Sequence, residues 1–319
     1  MSDGIKREEV IGMVQTNKPP SSQRISLIMN ILFTLFFVLV ALACILPVML
    51  VISASITDDM ALLKDGYTLF PKLESINLRS YELIFERSQA IVSAFMNSIV
   101  ISLIGTVVAT FIMALYAYPL SRANFKYRKG FTWFVLITML FSGGLVPWYI
   151  MYTQVLGLTD TMAVLIIPYT MSAWYVLIMR TFYKTTLPEE ILESARIDGA
   201  GEFRIFLQVI LPICKPVLAT VGLWIAVGNW NDWFTTEVFA RQNHLATLQH
   251  ELMKLVASAM GETDTVNLHP DAVGGGGHVM TPIAMRAAIT MVATVPILCV
   301  YPFLQKYFVK GVHVGSVKG

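Results

Sequence analysis

Charge is scarce in this sequence. Only 14% of its 319 residues are Asp, Glu, Lys or Arg, while 55% are hydrophobic; a soluble domain carries about a quarter charged residues. The shortage argues against a soluble enzyme and for a chain that crosses a membrane repeatedly. A net charge of +2, from Lys and Arg scattered in short clusters, excludes a nucleic-acid-binding surface. Cysteine is as rare. Cys44, Cys214 and Cys299 lie in apolar segments at spacings that suit neither disulfides nor a metal, so they read as small buried apolar residues. Catalytic signatures are missing too. No Gly-x4-Gly-Lys-Ser/Thr loop occurs, so the chain is not itself an ATPase, and neither His-Glu-x-x-His nor a Gly-x-Ser-x-Gly elbow is present. His244, His250, His269 and His278 share one stretch, where a metal site is conceivable, but irregular spacing without Cys partners favours solvated loop histidines.

Long apolar runs are what the chain does have. A helix needs about 20 mainly apolar residues to cross a bilayer, and six segments qualify: 25–54, 90–120, 131–152, 161–182, 206–234 and 282–305. A polar arm, 1–24, precedes the first. That first run is far longer than the ~7–15-residue core of a signal peptide, so it is expected to be a retained span. Gly157-Leu158-Thr159-Asp160 supplies a tight turn between the third and fourth spans. Pro212 and Pro216 fall at the start of the fifth, where membrane helices tolerate them. Lys and Arg gather in the arm, at Arg122, Lys126, Arg128 and Lys129, at Arg180, Lys184, Arg196 and Arg204, and in the tail at Lys306, Lys310 and Lys318. By the positive-inside rule these lie on the cytoplasmic side. The fold class that follows is an all-α membrane protein, six transmembrane helices with both termini cytoplasmic, residues 25–319 forming one domain.

Two outer loops and one inner loop result. Residues 55–89 are expected to hold a short interfacial helix around Tyr81, Leu83 and Ile84. Residues 235–281 include a helical run from Leu248 to Met260, then four glycines, 274–277, which no fixed conformation holds cheaply. They make either a mobile docking loop or a simple tether. The inner loop, 183–212, is a charged island. Thr185 or Thr186 is expected to cap a helix with Pro188, Glu189 and Glu190 in its first turn. Ile191, Leu192 and Ala195 form a small apolar face, Gly199 ends the helix after Asp198, and a second helix starts near Glu202 and runs to Leu211-Pro212.

Glu193-Ser194-Ala195, three residues, Gly199, nine residues, then Val209-Ile210-Leu211-Pro212 resembles the "EAA loop" of inner-membrane permease subunits of ATP-binding-cassette importers, whose pattern is Glu-Ala-Ala, Gly, Ile-x-Leu-Pro at those spacings. Ser194 and Val209 depart mildly from it. Asn97-Ser98-Ile99 and Trp230-Asn231-Asp232 look like the smaller permease of the maltose-type carbohydrate branch. Phe141-Ser142-Gly143-Gly144-Leu145-Val146-Pro147 and Phe308-Val309-Lys310-Gly311-Val312 look like the subgroup handling complex oligosaccharides and uronate polymers such as alginate.

The resemblance implies a type I importer permease fold in a bacterial inner membrane. It implies that Glu193, Ser194, Ala195, Asp198, Gly199, Ala200, Leu211 and Pro212 form a coupling helix and its exit, seated in an ATPase subunit. The implied partners are a second, homologous permease, two ATPases that bind ATP and Mg, an extracytoplasmic solute-binding protein, membrane lipid and a saccharide, with no cofactor on this chain.

Sugar rings stack on aromatics, so Trp148, Tyr149, Tyr152, Trp174, Tyr175, Trp224, Trp230 and Trp233 suit either a saccharide path or the aromatic belt of a membrane interface; for Trp148 and Tyr152 the belt is favoured. Asn229, Asn231 and Asp232 are polar groups at the end of a span, which face a cavity or a neighbouring helix. With Trp224 and Trp230 they are the candidate substrate pathway. Two rivals stand beside this reading: a permease for amino acids or peptides, which shares the coupling motif, and an intramembrane sugar- or lipid-modifying enzyme, against which the missing catalytic signatures argue.

Overall fold

The structure is a computed structural model that describes residues 27–82, 84–85, 89–240, 243–260 and 282–312. The N-terminal arm, the four glycines, His269 and His278 lie outside the described residues. Those described are helical, and their one extended pairing is an isolated antiparallel bridge between Thr57 and Ile76. The chain divides into two compact units, 1–50 and 51–319. In the first, α1 (Leu27–Ser55) is apolar on every side, and its residues 28–48 are exposed. A helix greasy all round is made for lipid or for a neighbouring helix.

The second unit is organised by α4 (Gln89–Ser121), a 33-residue helix. Before it come α2 (Asp59–Asp65) and α3 (Arg79–Glu82). Tyr81, in α3, donates to the Ser55 hydroxyl at 2.9 Å, and Ile84 is fully buried, so the expected short helix is present; Leu83 lies outside the described residues. The buried face of α4 includes Ala94, Ser98, Ser102, Gly105, Ala109, Ala114 and Ala117. Small residues at helical spacing let neighbouring helices approach closely, and α4 packs most extensively on α12 (Lys215–Trp230) and α8 (Ala173–Thr186).

Three of the expected spans are bent rather than straight. Helix α5 (Arg128–Leu140) and α6 (Leu145–Ile150, continued by a π turn over Met151–Val155) meet at 115°. Gly144, at φ +83°, makes the corner. α7 (Met162–Ile166) and α8 meet at 51° across a 3₁₀ turn containing Pro168. The segment from Glu202 to Ile213 meets α12 at 83°, at Cys214. Pro212 and Pro216 each remove an N–H from the ladder and crowd the carbonyl four residues back, and a π turn over Phe206–Ile210 precedes Pro212. An apolar window counts residues and does not register such corners.

The remaining helices are α9 (Glu189–Ile197), α10 (Glu202–Ile205), α11 (Leu211–Ile213), α13 (Phe234–Phe239), α14 (Leu248–Met260) and α15 (Pro282–Val312). The Leu248–Met260 helix agrees with the sequence. Gly157 (φ +62°) and Asp160 (φ +55°) form the expected turn. Of the cysteines, Cys214 alone is buried; Cys44 and Cys299 are exposed and all three are free. Both exposed cysteines lie on helix faces that this chain leaves uncovered.

Candidate functional site

Helix α8 stops at Thr186 because Leu187 precedes a proline and is extended (φ −96°, ψ 107°). Pro188 then occupies the cap position of α9, and no side chain caps that helix. The Thr185 hydroxyl instead bonds back to the carbonyls of Thr181 and Phe182. The expected threonine cap is therefore absent, and Glu189 and Glu190 in the first turn complement the helix dipole in its place.

The C-terminus of α9 is as read from sequence. Gly199, at φ +79°, bonds its N–H to the Arg196 carbonyl, and Ala200 bonds to Ala195, both at 3.0 Å. This is a Schellman closure around Asp198. Leu192 is fully buried, while Ala195 and Ala200 pack against the same core, which also takes in Leu187, Ile205, Phe206 and Ile210. Glu193, Ser194 and Asp198 are exposed. So are Ile191, Ile197 and Phe203, Ile197 at 87%. An apolar tip of that exposure beside a charged helix is a feature of contact surfaces. Sequence reading passed over Ile197 and Phe203, although two apolar residues in so polar an island were the available signal. Leu211 is half-buried and Pro212 exposed.

Beneath the loop lies the end of α4. The Arg122 side chain is 8% exposed. Its guanidinium donates to the Ser121 hydroxyl at 3.0 Å, to Glu189 at 3.3 Å and to the Tyr183 carbonyl at 3.4 Å. One turn earlier, Tyr118 donates a short hydrogen bond to Glu202, whose other oxygen accepts from Arg196 at 2.9 Å. Burial works to raise the Glu202 carboxyl, but the hydrogen bonds from Tyr118 and Arg196, with nearby guanidinium charge, outweigh it and hold the group below its usual range. Arg180 donates to the Leu120 carbonyl and Arg128 to that of Arg122, so guanidinium groups cap the last turn of α4. An open cleft of about 580 Å³ runs alongside, lined in part by Tyr118, Arg122, Asn124, Arg196, Glu202 and Phe203. The arginines read from sequence only as signs of orientation make these bonds.

The candidate pathway residues lie at the other end of α12 and do not form one group. Trp230 is buried, donates its indole N–H to the Ala293 carbonyl at 2.9 Å and meets Phe95 edge-on. Asn231 bonds to the Val227 carbonyl and accepts from Gln249. Asp232 caps the backbone N–H of Thr235, and its carbonyl accepts from Thr247. Asn229 is buried against α4, its amide nitrogen 2.7 Å from where a Cβ on Gly105 would sit. Among the described residues its side chain makes no hydrogen bond. Trp224, 41% exposed, stacks on Tyr175 at 6.0 Å. Trp148, Tyr149 and Tyr152, each half-buried, gather round the buried ring of Phe239.

Asn97 and Ser98 belong to this end too. The Asn97 amide donates to the carbonyls of His244 and Ala246, and the Ser98 hydroxyl accepts from the N–H of Leu248. His250 is buried, 2.8 Å from Glu237, and so is not a solvated loop histidine; His244 is exposed. Among the described residues, no three His, Cys, Asp or Glu side chains converge as a metal site would require.

With this geometry in hand, comparison with known proteins is specific. Residues 130–314 match the family described as "Binding-protein-dependent transport system inner membrane component". The chain is 34% identical over 284 residues to the polygalacturonan/rhamnogalacturonan transport system permease protein YtcP of Bacillus subtilis, covering 89% of this chain and 96% of that one. It is 36% identical over 279 residues to protein LplC of the same organism, covering 86% and 90%. A chain in the crystal structure of a bacterial ABC transporter involved in the import of the acidic polysaccharide alginate superposes with a TM-score of 0.79. It is 25% identical, covering 91% of this chain and 99% of the other.

Proposed function

We infer the function from a plain fact of membership: this chain belongs to the family of binding-protein-dependent transport system inner membrane components. It is a permease subunit of an ATP-binding-cassette importer for saccharides. The observation that carries the reading is the loop at 187–213, where a glycine-closed helix leaves Glu193, Ile197 and Phe203 exposed while Leu192 seats it in the core.

Within that frame the finer reading is as follows. The chain crosses a bacterial inner membrane six times with both termini cytoplasmic, three of the crossings being made by bent helix pairs. The 187–213 loop is cytoplasmic, and α9 docks in an ATPase subunit, one of two that bind ATP and Mg. A second, homologous permease completes the membrane unit, and an extracytoplasmic binding protein delivers an oligosaccharide or a uronate polymer. The polygalacturonan/rhamnogalacturonan permease and the importer of the acidic polysaccharide alginate, to which the chain is similar, support that cargo. Trp224 on Tyr175 offers a partly exposed ring stack for a sugar face, and Asn229, whose side chain makes no hydrogen bond among the described residues, offers an amide for hydroxyls once α4 and α12 part. Trp230, Asn231 and Asp232 frame the outer end of that path. ATP binding draws the ATPases together, α9 moves with them, and the permeases turn outward; hydrolysis resets them. The cycle couples because ATP binds one state more tightly than the other.

The test is reconstitution of the importer with its partner subunits and binding protein in liposomes. ATP hydrolysis and uptake are read across neutral oligosaccharides, oligogalacturonates and oligoalginates. Stimulation by an acidic oligosaccharide is expected, and stimulation by amino acids or peptides alone would reject the assignment.

A further inference from the structure

Two chain connections join the coupling loop to the helices around it, and neither continues a helix straight through. On one side Leu187–Pro188 is extended; on the other the chain turns through 83° at Cys214. Neither transmits a push along a stiff rod. The loop is nevertheless fastened a third time, by side chains, to a helix that is not its neighbour in sequence. Tyr118 stands in the last turn of α4 and Arg122 just past its end, with the guanidinium 5.8 Å from the phenol ring. Their far ends reach the two halves of the loop separately: Arg122 takes Glu189 at the start of α9, and Tyr118 takes Glu202 at the start of α10. Arg196, near the end of α9, closes the figure by pairing with the same Glu202. Phe206 stacks on Tyr118 at 6.0 Å and meets Phe111 edge-on, so α4 grips the segment beyond the loop as well. Arg122 is buried, Glu189 is half-exposed and Glu202 adds its charge nearby, so the guanidinium is the member of the group that most needs its partners.

We propose that Tyr118 and Arg122 are positioning residues that latch both halves of the coupling loop to α4, so that movement of α9 is delivered straight to the central helix. The inference rests on the importer reading above and adds a route for the force. α4 receives it because Arg180 of α8 holds the Leu120 carbonyl in its last turn and Arg128 of α5 the Arg122 carbonyl just beyond, which makes its end a hub for four elements. Without the latch the loop can still seat in the ATPase, but its two bent connections pass the movement on poorly.

The experiment measures saccharide transported per ATP hydrolysed in the reconstituted, complete importer, together with recovery of the ATPase subunits on purification. Arg122→Gln is expected to leave the subunits assembled and hydrolysing ATP, while saccharide per ATP falls at least about fivefold, the low end for a coupling free energy between sites. Tyr118→Phe keeps the ring on Phe206 and removes only the hydroxyl. It guards against simple misfolding, with an expected fall of about twofold, the loss of part of one net hydrogen bond. Arg122→Lys, which keeps the charge but not the fork, is expected to fall between Gln and wild type. If both Arg122→Gln and Tyr118→Phe lower hydrolysis, assembly and transport in the same proportion, or change none of them, the latch is wrong. If the wild-type importer shows no saccharide-stimulated hydrolysis, the functional reading has failed and not the latch.

Discussion

The surroundings of the two ends of α4 are held by different chemistry. At the loop end the bonds are ionic and aromatic: Arg122 to Glu189, Arg196 to Glu202, Tyr118 on Phe206. At the far end they are mostly neutral, with amides, hydroxyls and an indole bonded to backbone carbonyls and N–H groups: Asn97 to His244 and Ala246, Ser98 to Leu248, Trp230 to Ala293. Neutral bonds to backbone fix a fold in one arrangement and lose little to solvent screening. Charge pairs at a surface are worth less when left in water, and respond to whatever approaches them. The far end is a rivet, and the loop end is a contact that leaves Glu193, Ile197 and Phe203 exposed for a partner.

That contrast is testable, beginning where the effect is largest. Trp230→Ala removes a buried indole from the far core, with the bond it donates to the Ala293 carbonyl, so thermal unfolding in detergent should report a loss of about 3–5 kcal/mol. Recovery of the ATPase subunits from intact membranes should not change. Asn97→Ala breaks two hydrogen bonds at the same end, and about 1–3 kcal/mol is expected by the same measurement. An Asn97→Ala protein as stable as wild type would dismantle the rivet picture.

At the loop end the order of effects reverses, with function more sensitive than stability. Gly199 has open space around its Cα, so Gly199→Ala meets no clash and costs only the left-handed conformation, about 1–2 kcal/mol, confined to the end of α9. Uptake is expected to drop several-fold while global unfolding barely moves. Gly199→Asn, whose side chain tolerates that conformation, should retain more uptake than Ala. Equal loss in the two would show that small size, and not φ, is what the site requires.

The smallest effect is in pH. Glu202 has its folded-state pKa depressed from the ordinary 4.5. Its contribution is therefore complete above 4.5 and disappears as pH falls through the lower folded value. With the carboxylate side chain 59% exposed, screening keeps that contribution below about 1 kcal/mol. The stability gap between wild type and Glu202→Gln should be constant near neutrality and close only under acid. A gap that instead closed on raising the pH would contradict the assigned pairing.

Much of this was legible in advance, for reasons that differ by element. The Gly199 turn was readable because only a glycine relieves that φ cheaply, and α14 because a long apolar periodicity survives any packing. The bends at Phe141–Gly144 and Cys214 were not, since hydropathy has no direction. The threonine cap failed because Pro188 had already set the entry to α9, leaving Thr185 to bond back into its own helix. The latch was hidden in plain sight. Arg122 and Arg180 were counted as positive charges near a membrane, and nothing in a charge count shows that one guanidinium is buried and forked between a hydroxyl, a carboxylate and a carbonyl. Trp230 and Asp232 lie two residues apart in sequence, but a helix end presents neighbouring residues to different partners, and these two bond to α15 and α13.

Gly105 and Asn229 carry one last consequence. A glycine on α4 gives the Asn229 amide a recess, and any Cβ there would come within 2.7 Å of it. The pair works as a key in its keyway. Helix α12 cannot slide along α4 by a residue without lifting out of the notch, so axial slippage, the cheapest motion for two smooth helices, is barred. Whatever turns α4 turns α12 with it, and the two leave register only by separating.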